Sequence, residues 1–247
     1  MRTRMRGVVA AVAVSTLCLT AAACQSSSGD DKKPAKTDAA KTDAAKPQET
    51  KTDAPAPRTP LTAAQMKAAT VELKDLSAGW KSNKVSTGDD PAPKADHPGC
   101  QPIADMMGDE IKGATKGSDV DFKHADGKSE LSQQVITFAG TGAADFTKAI
   151  GAALGTCTTV SFDMEGQKVP VKIKKLDAPK VGEESHAFQM AIVFAPGMEI
   201  KANLLVAHQG TGATRVAYVN TGSGAAQKSF EDLVQLIGDK FVKGVQG

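Results

Sequence analysis

The stretch His186-Ala-Phe188-Gln-Met190-Ala-Ile192-Val-Phe194-Ala-Pro196-Gly197-Met-Glu-Ile200-Lys-Ala202-Asn-Leu204-Leu-Val206 decides the fold class. His186 begins a face on which Phe188, Met190, Ile192 and Phe194 take every second position, Pro-Gly interrupts, and the alternation resumes over 200–206. A period of two marks a strand with one buried face, and a Pro-Gly turn between two such runs returns the chain antiparallel. The pattern recurs upstream. Val160, Phe162 and Met164 alternate, Glu165-Gly166-Gln167 turns, and Val169, Val171 and Ile173 then alternate against Lys168, Lys172 and Lys174. One face of that strand is dry and the other wet. Residues 131–139 and 214–220, the latter bearing Val216 and Tyr218, read as further strands.

Helical signals flank this series. Thr62-Ala-Ala-Gln65 is a capping box, with Leu61 placed to staple onto Met66. Met66, Ala69, Leu73 and Leu76 share a face, and Ser77-Ala78-Gly79-Trp80 ends the helix at the only tryptophan, read as a core anchor. Residues 82–99 read as a loop, followed by a short helical turn across Ile103 and Met106. Over 143–156, Phe146, Ile150, Ala153 and Cys157 fall at helical spacing. Ser223 is placed to cap a terminal helix whose Phe230, Val234, Ile237 and Phe241 lie on one side. The order predicts an α+β fold, an antiparallel sheet of about five or six strands packed by helices.

The first 60 residues do not belong to that domain. Arg2, Arg4 and Arg6 precede an apolar run over 7–20, too short for a permanent span, as in an export signal. The run closes on Thr20-Ala21-Ala22-Ala23-Cys24, which resembles the lipobox of bacterial lipoproteins. That resemblance implies cleavage before Cys24 and diacylation of its thiol, with palmitate among the chains, on the outer face of the cytoplasmic membrane. Ala21 stands where the family prefers Leu, and plain secretion is the alternative. Removing the signal takes three of the 30 basic residues and none of the 28 acidic ones, leaving a formal charge of −1. Electrostatic adhesion to a membrane is therefore not expected, and the pI of about 8.3 carries no basic excess of the kind nucleic-acid binders show.

From Gln25 to Pro60 the chain is Lys, Thr, Asp, Ala, Pro and Ser, with Lys-Thr-Asp at 36–38, 41–43 and 51–53. Such a segment buries too little apolar surface to fold alone. As a flexible tether it reaches on the order of 35 Å. The domains expected are signal 1–23, lipid-anchored linker 24–60 and one globular domain 61–247.

With Cys18 lost in the signal and Cys24 lipidated, Cys100 and Cys157 remain, and in an exported chain they most simply pair. A catalytic thiol is the competing reading, which needs a nearby His. Leu76-Ser77-Ala78-Gly79-Trp80, the Cys100 and Cys157 pair, Val181-Gly182-Glu183-Glu184 and the amphipathic terminal helix together resemble actinobacterial surface lipoproteins and the extracellular sensor domains of certain Ser/Thr kinases, a PsbP/Mog1-like group. That resemblance implies a non-enzymatic ligand-sensing or interaction module.

Motifs for chemistry are weak. In the segment from Asp119 to Glu130, which contains Asp126, the acids Asp119, Asp121 and Glu130 fall on positions 1, 3 and 12 of a calcium loop, but Lys123 and His124 spoil the pattern, so a solvated loop is expected. Gly140-Thr-Gly142, Gly210-Thr-Gly212 and Gly222-Ser-Gly224 lack a phosphate-loop or nucleophile-elbow pattern. His186, beside Glu183-Glu184, reads as a structural histidine. No catalytic, metal or cofactor residue is assigned. Two binding readings stand, a pocket for a small or lipidic ligand to which Met106, Met107, Met164, Met190 and Met198 adapt, or a protein or cell-wall interaction surface. A hydrolase of unrecognised type is the remaining alternative.

Overall fold

Among the described residues nine strands pair into one antiparallel sheet: β1 (Trp80–Asn83), β2 (Lys94–Ala95), β3 (Ala114–His124), β4 (Ser129–Phe138), β5 (Thr159–Met164), β6 (Gln167–Leu176), β7 (Glu184–Ala195), β8 (Met198–Gln209) and β9 (Gly212–Asn220). Their spatial order is β1-β3-β4-β9-β8-β7-β6-β5-β2. The computed structural model describes residues 59–85, 91–164, 166–195, 198–221 and 226–247. The signal, Cys24, nearly all of the linker, the Pro196-Gly197 turn and Ser223 lie outside the described residues.

The α+β reading holds, but the sheet has nine strands where five or six were expected. The three additional strands lack the alternation that betrays a half-buried strand. β1 has four residues and β2 two, shorter than one clear period. β3 spans eleven residues yet only Val120 and Phe122 are large and apolar, and a bulge between Lys116 and Ser118 breaks its register. Gly117 sits at that bulge, where a Cβ would fall 2.3 Å from Met66 Sδ. The segment expected to be a solvated loop around 119–130 is instead the end of β3, a turn and the start of β4.

The helices are α1 (Ala63–Ala68), α2 (Gln101–Asp105), α3 (Gly142–Thr156) and α4 (Ala226–Gln246). Thr62 and Gln65 form the expected capping box. α1 then stops short of its expected end, and a 3-10 turn follows at Leu73–Asp75. Buried Gln133 of β4 holds the chain between them, accepting from Val71 N at 2.7 Å and donating to Ala69 O at 3.3 Å.

α1 and α4 cover one face of the sheet over β3, β4, β9 and β8; α2 and α3 cover the other over β6, β7 and β8. In the first layer Phe230, Val234, Ile237 and Phe241 of α4 are fully buried against Phe122, Leu131, Leu205 and Val216. In the second, Ile150 of α3 packs with Phe162, Val171, Phe188 and Val206. Cys100 and Cys157 form a disulfide there, joining the start of α2 to the end of α3.

Two predictions follow from this packing. For a bridge closing a 57-residue separation, reduction should cost about 4 kcal/mol on the chain-entropy model, read as a lower denaturant midpoint; identical midpoints with and without reductant would show that it constrains nothing. A Cβ on Gly244 would lie 2.3 Å from Ala69 N where α4 crosses α1, so Gly244→Ala should lower stability. Its cost should be about 1–3 kcal/mol in the same unfolding measurement.

Candidate functional site

At one end of the sheet, beneath α4, a left-handed glycine begins the site. Gly79 has φ +102°, and a Cβ there would sit 2.4 Å from His124 Nε2. Glycine thus lets the chain pass against the imidazole and delivers Trp80 to the start of β1, opposite His124 on β3. The two rings meet edge to face at 5.3 Å.

The β3–β4 turn supplies the next group. Asp126 accepts from Lys128 N at 2.7 Å, from Ser129 N at 3.1 Å and from Ser129 Oγ at 3.2 Å. These bonds, led by the Lys128 N–H, hold its carboxyl below the ordinary 3.8. His124 Nδ1 accepts from Asp126 N at 3.3 Å and lies 3.1 Å from Asp126 Oδ2, a bond it makes when protonated. Across the β4–β9 ladder Ser129 faces Asn220. Asn220 Nδ2 donates at 3.0 Å to both Ser129 Oγ and Tyr218 Oη. Tyr218 is buried and its ring stacks on Phe230 of α4 at 6.4 Å. A continuous polar chain therefore runs from His124 through Asp126, Ser129 and Asn220 to Tyr218.

Ser229, Asp232, Leu233 and Leu236 of α4 and Asp75, Leu76 and Ser77 complete a cleft of about 610 Å³. That is within the usual size for a small-molecule site. Asp75 and Leu236 also border a more open groove of about 1030 Å³ along α4, lined by Val181 and Val242 among others. Lys240 fixes the shared wall by pairing with Asp75 and, at 3.2 Å, with Glu72. Burial alone would raise the Asp75 carboxyl; the Lys240 hydrogen bond, the Glu72 N–H and the neighbouring lysine charges outweigh it and hold it low. The smaller cleft is lined by Asp75, Asp126, Asp232 and His124, with no Lys or Arg among its described residues. Its chemistry suits a neutral or amine-bearing ligand rich in donors rather than an anion.

Ser129 Oγ donates to Asp126, not to a histidine, so no Ser–His pair forms at Ser129. His186 Nε2 lies 2.9 Å from Glu184 Oε1 and packs against Gly151, where a Cβ would come within 2.3 Å of it. Among the described residues no group of three or more His, Cys, Asp or Glu is placed to hold a metal ion. Met106, Met107 and Met190 lie in one core cluster beside α3, and Met106 and Met107 also border a cavity of about 230 Å³ with Asp119, Gln134 and Arg215. The side chains of Met164 and Met198 lie outside the described residues. Of the cleft residues, Trp80 and Tyr218 stood out in the sequence as packing groups, and His124 and Asp126 only in a failed calcium pattern. Ser129 and Asn220 gave no signal, since their meeting depends on the β4–β9 register.

Comparison with solved structures gives the extracellular domain of PknH from Mycobacterium tuberculosis, at 12% identity and TM-score 0.52, over 76% of this chain and 98% of that one. The two share a fold. An Rv0999 ortholog from Mycobacterium smegmatis aligns at 10% identity and TM-score 0.40, over 71% of this chain and 96% of that one. No family model matches the chain. No curated protein matches it either. The resemblance read from Leu76–Trp80, the cysteine pair and the terminal helix is thus met at the level of fold.

Asn220→Ala should leave the buried Tyr218 hydroxyl without its donor and cost about 1–3 kcal/mol in chemical unfolding; no loss would mean that the polar chain is not structural. The depressed Asp126 carboxyl contributes stability above its unfolded value, and that contribution is lost as pH falls through the lower folded one. Trp80 emission, read through His124, should therefore change in an acid transition below about pH 3.8 that Asp126→Asn removes. An unaltered transition in the variant would assign the change to another group.

Proposed function

We propose that this chain is a lipoprotein, anchored through Cys24 to the outer face of the cytoplasmic membrane, whose globular domain binds a small ligand in the Trp80–Tyr218 cleft without turning it over. The signal would occupy 1–23, the linker 24–60 and the binding domain 61–247. The observation that carries the reading is the cleft itself. An aromatic edge and a pre-bonded chain of polar groups stand on a paired sheet end, so they are rigid before any ligand arrives, which lowers the ordering cost of binding. The shared fold supports a sensor-like role in the extracytoplasmic space, as the resemblance implies. Binding without catalysis accords with the Ser129 hydroxyl being committed to Asp126 and Asn220.

Trp80 is the only tryptophan, so its fluorescence reports this cleft directly. Chain extracted from membranes should carry a non-covalent mass in native mass spectrometry that is lost on denaturation. Adding that compound back should shift Trp80 emission in the wild type and, at equal concentration, not in Tyr218→Phe/Asn220→Ala. A bare chain whose Trp80 ignores envelope extracts would replace this reading with a protein or cell-wall interaction module. Cys24→Ser should move the protein from the membrane fraction to the soluble one and abolish labelling by radioactive palmitate. Unchanged fractionation and labelling would sink the anchor.

A further inference from the structure

The sheet face that α1 and α4 cover over β3, β4, β9 and β8 continues past Leu176 and Ala187, which still pack against the α4 core, onto β5 and the rest of β6 and β7, where its side chains are exposed with no helix among the described residues over them. There it is a lysine face. Register places Lys168, Lys172 and Lys174 of β6 on it, with Lys172 opposite Ala191 of β7 and Ala191 opposite Lys201 of β8. Lys94 of β2 and Lys168 flank Asp163 of β5 on the same side. All five lysines are exposed. Lys201 pairs loosely with Glu199 at 3.6 Å, and the other four make no ion pair among the described residues. Among the described residues the acids nearby are Asp163, Glu199 and, at the outer edge, Asp96, so positive charge is in excess there and the β6 row itself carries none of them.

The form of the face says what it fits. It is an open pleated surface, with Gln189 bonded to Asn203 at 2.9 Å and Ala191 buried beneath the flanking lysine stems. Every cation is a lysine and none an arginine. Arginine's planar fork selects single carboxylates or phosphates bidentately, whereas lysine is a flexible point charge suited to diffuse attraction. Neighbouring positions sit about 5 Å apart across strands and about 7 Å apart along one, close enough for the charges to act together within a Debye length of about 8–10 Å.

We propose that the lysine face of β6, β7 and β8 docks on the anionic phospholipid headgroups of a membrane surface. The net charge of the processed chain sums every face and conceals this local excess, which is why composition gave no expectation of electrostatic adhesion. The tether expected from the composition of 24–60 would let the domain turn this face to the bilayer. The attraction itself does not depend on the lipid at Cys24, and the test separates the two.

The experiment uses residues 24–247 carrying Cys24→Ser, which contain both cores and the disulfide but no acyl chain. Sedimentation with vesicles is compared between phosphatidylcholine alone and phosphatidylcholine with 30% phosphatidylglycerol. Binding is expected only to the anionic vesicles at 50 mM salt, and should be lost at 300 mM. The triple variant Lys168→Gln/Lys172→Gln/Lys174→Gln should bind at least roughly tenfold more weakly, from several-fold per lysine near such a surface. A control with the same charge change at exposed Lys67, Lys148 and Lys243 should keep most of the binding. Equal losses in the two triples would reduce the effect to net charge and overturn the proposal. Vesicle binding absent in the parent chain, or a soluble polyphosphate bound through these lysines in place of vesicles, would overturn the lipid assignment. None of these outcomes alters the fractionation result for Cys24.

Discussion

A nine-stranded sheet has two faces to cover, and the four α-helices among the described residues do not cover both along its whole width. The layers are instead offset, α1 and α4 over one face on the β3–β8 side and α2 and α3 over the other on the β6–β8 side. Only the central strands are sandwiched. Both proposed surfaces lie where the cover stops. The cleft opens where α4 passes the sheet end at Trp80 and Tyr218, and the lysine face lies beyond Leu176 and Ala187, where no helix among the described residues follows the sheet.

Each layer depends on a device that permits close approach or fixes an end. α4 packs through four fully buried residues at helical spacing, and its glycines let it meet its neighbours. A Cβ on Gly238 would lie 2.5 Å from Val181, and one on Gly244 2.3 Å from Ala69. The opposite layer is short, with α2 only five residues long, and there the disulfide ties α2 to α3. Gln133 acts within the first core by satisfying backbone groups that α1 leaves when it ends early. An unpaired buried amide would cost about 1–3 kcal/mol, so one polar side chain in that core is stabilising.

The cleft joins these packing features to chemistry. Tyr218 and Phe230 make it continuous with the core, while Asn220, Ser129 and Asp126 bring a hydrogen-bonded line to its floor. Three carboxylates and one imidazole line its walls. The lysine face is opposite in charge. One domain thus presents two surfaces of unlike charge on different parts of the same sheet.

The sequence alone determined the elements with strong periodicity, β4 through β9, α3 and α4, because large apolar residues at periods of 2 and 3.6 leave few alternatives; for Cys100 and Cys157 it left a disulfide and a catalytic thiol as alternatives, and the tertiary structure joins them. It also carried the wet and dry faces of β6. The edge strands β1 and β2 and the polar strand β3 were not legible, since a strand buried on little of its surface needs no apolar alternation. The cleft was not legible either. Trp80, His124, Ser129, Asn220 and Tyr218 come from β1, β3, β4 and β9, and only antiparallel register sets them side by side. Periodicity is a property of one segment, whereas a binding site is a property of the pairing between segments, and that pairing was decided by the tertiary structure.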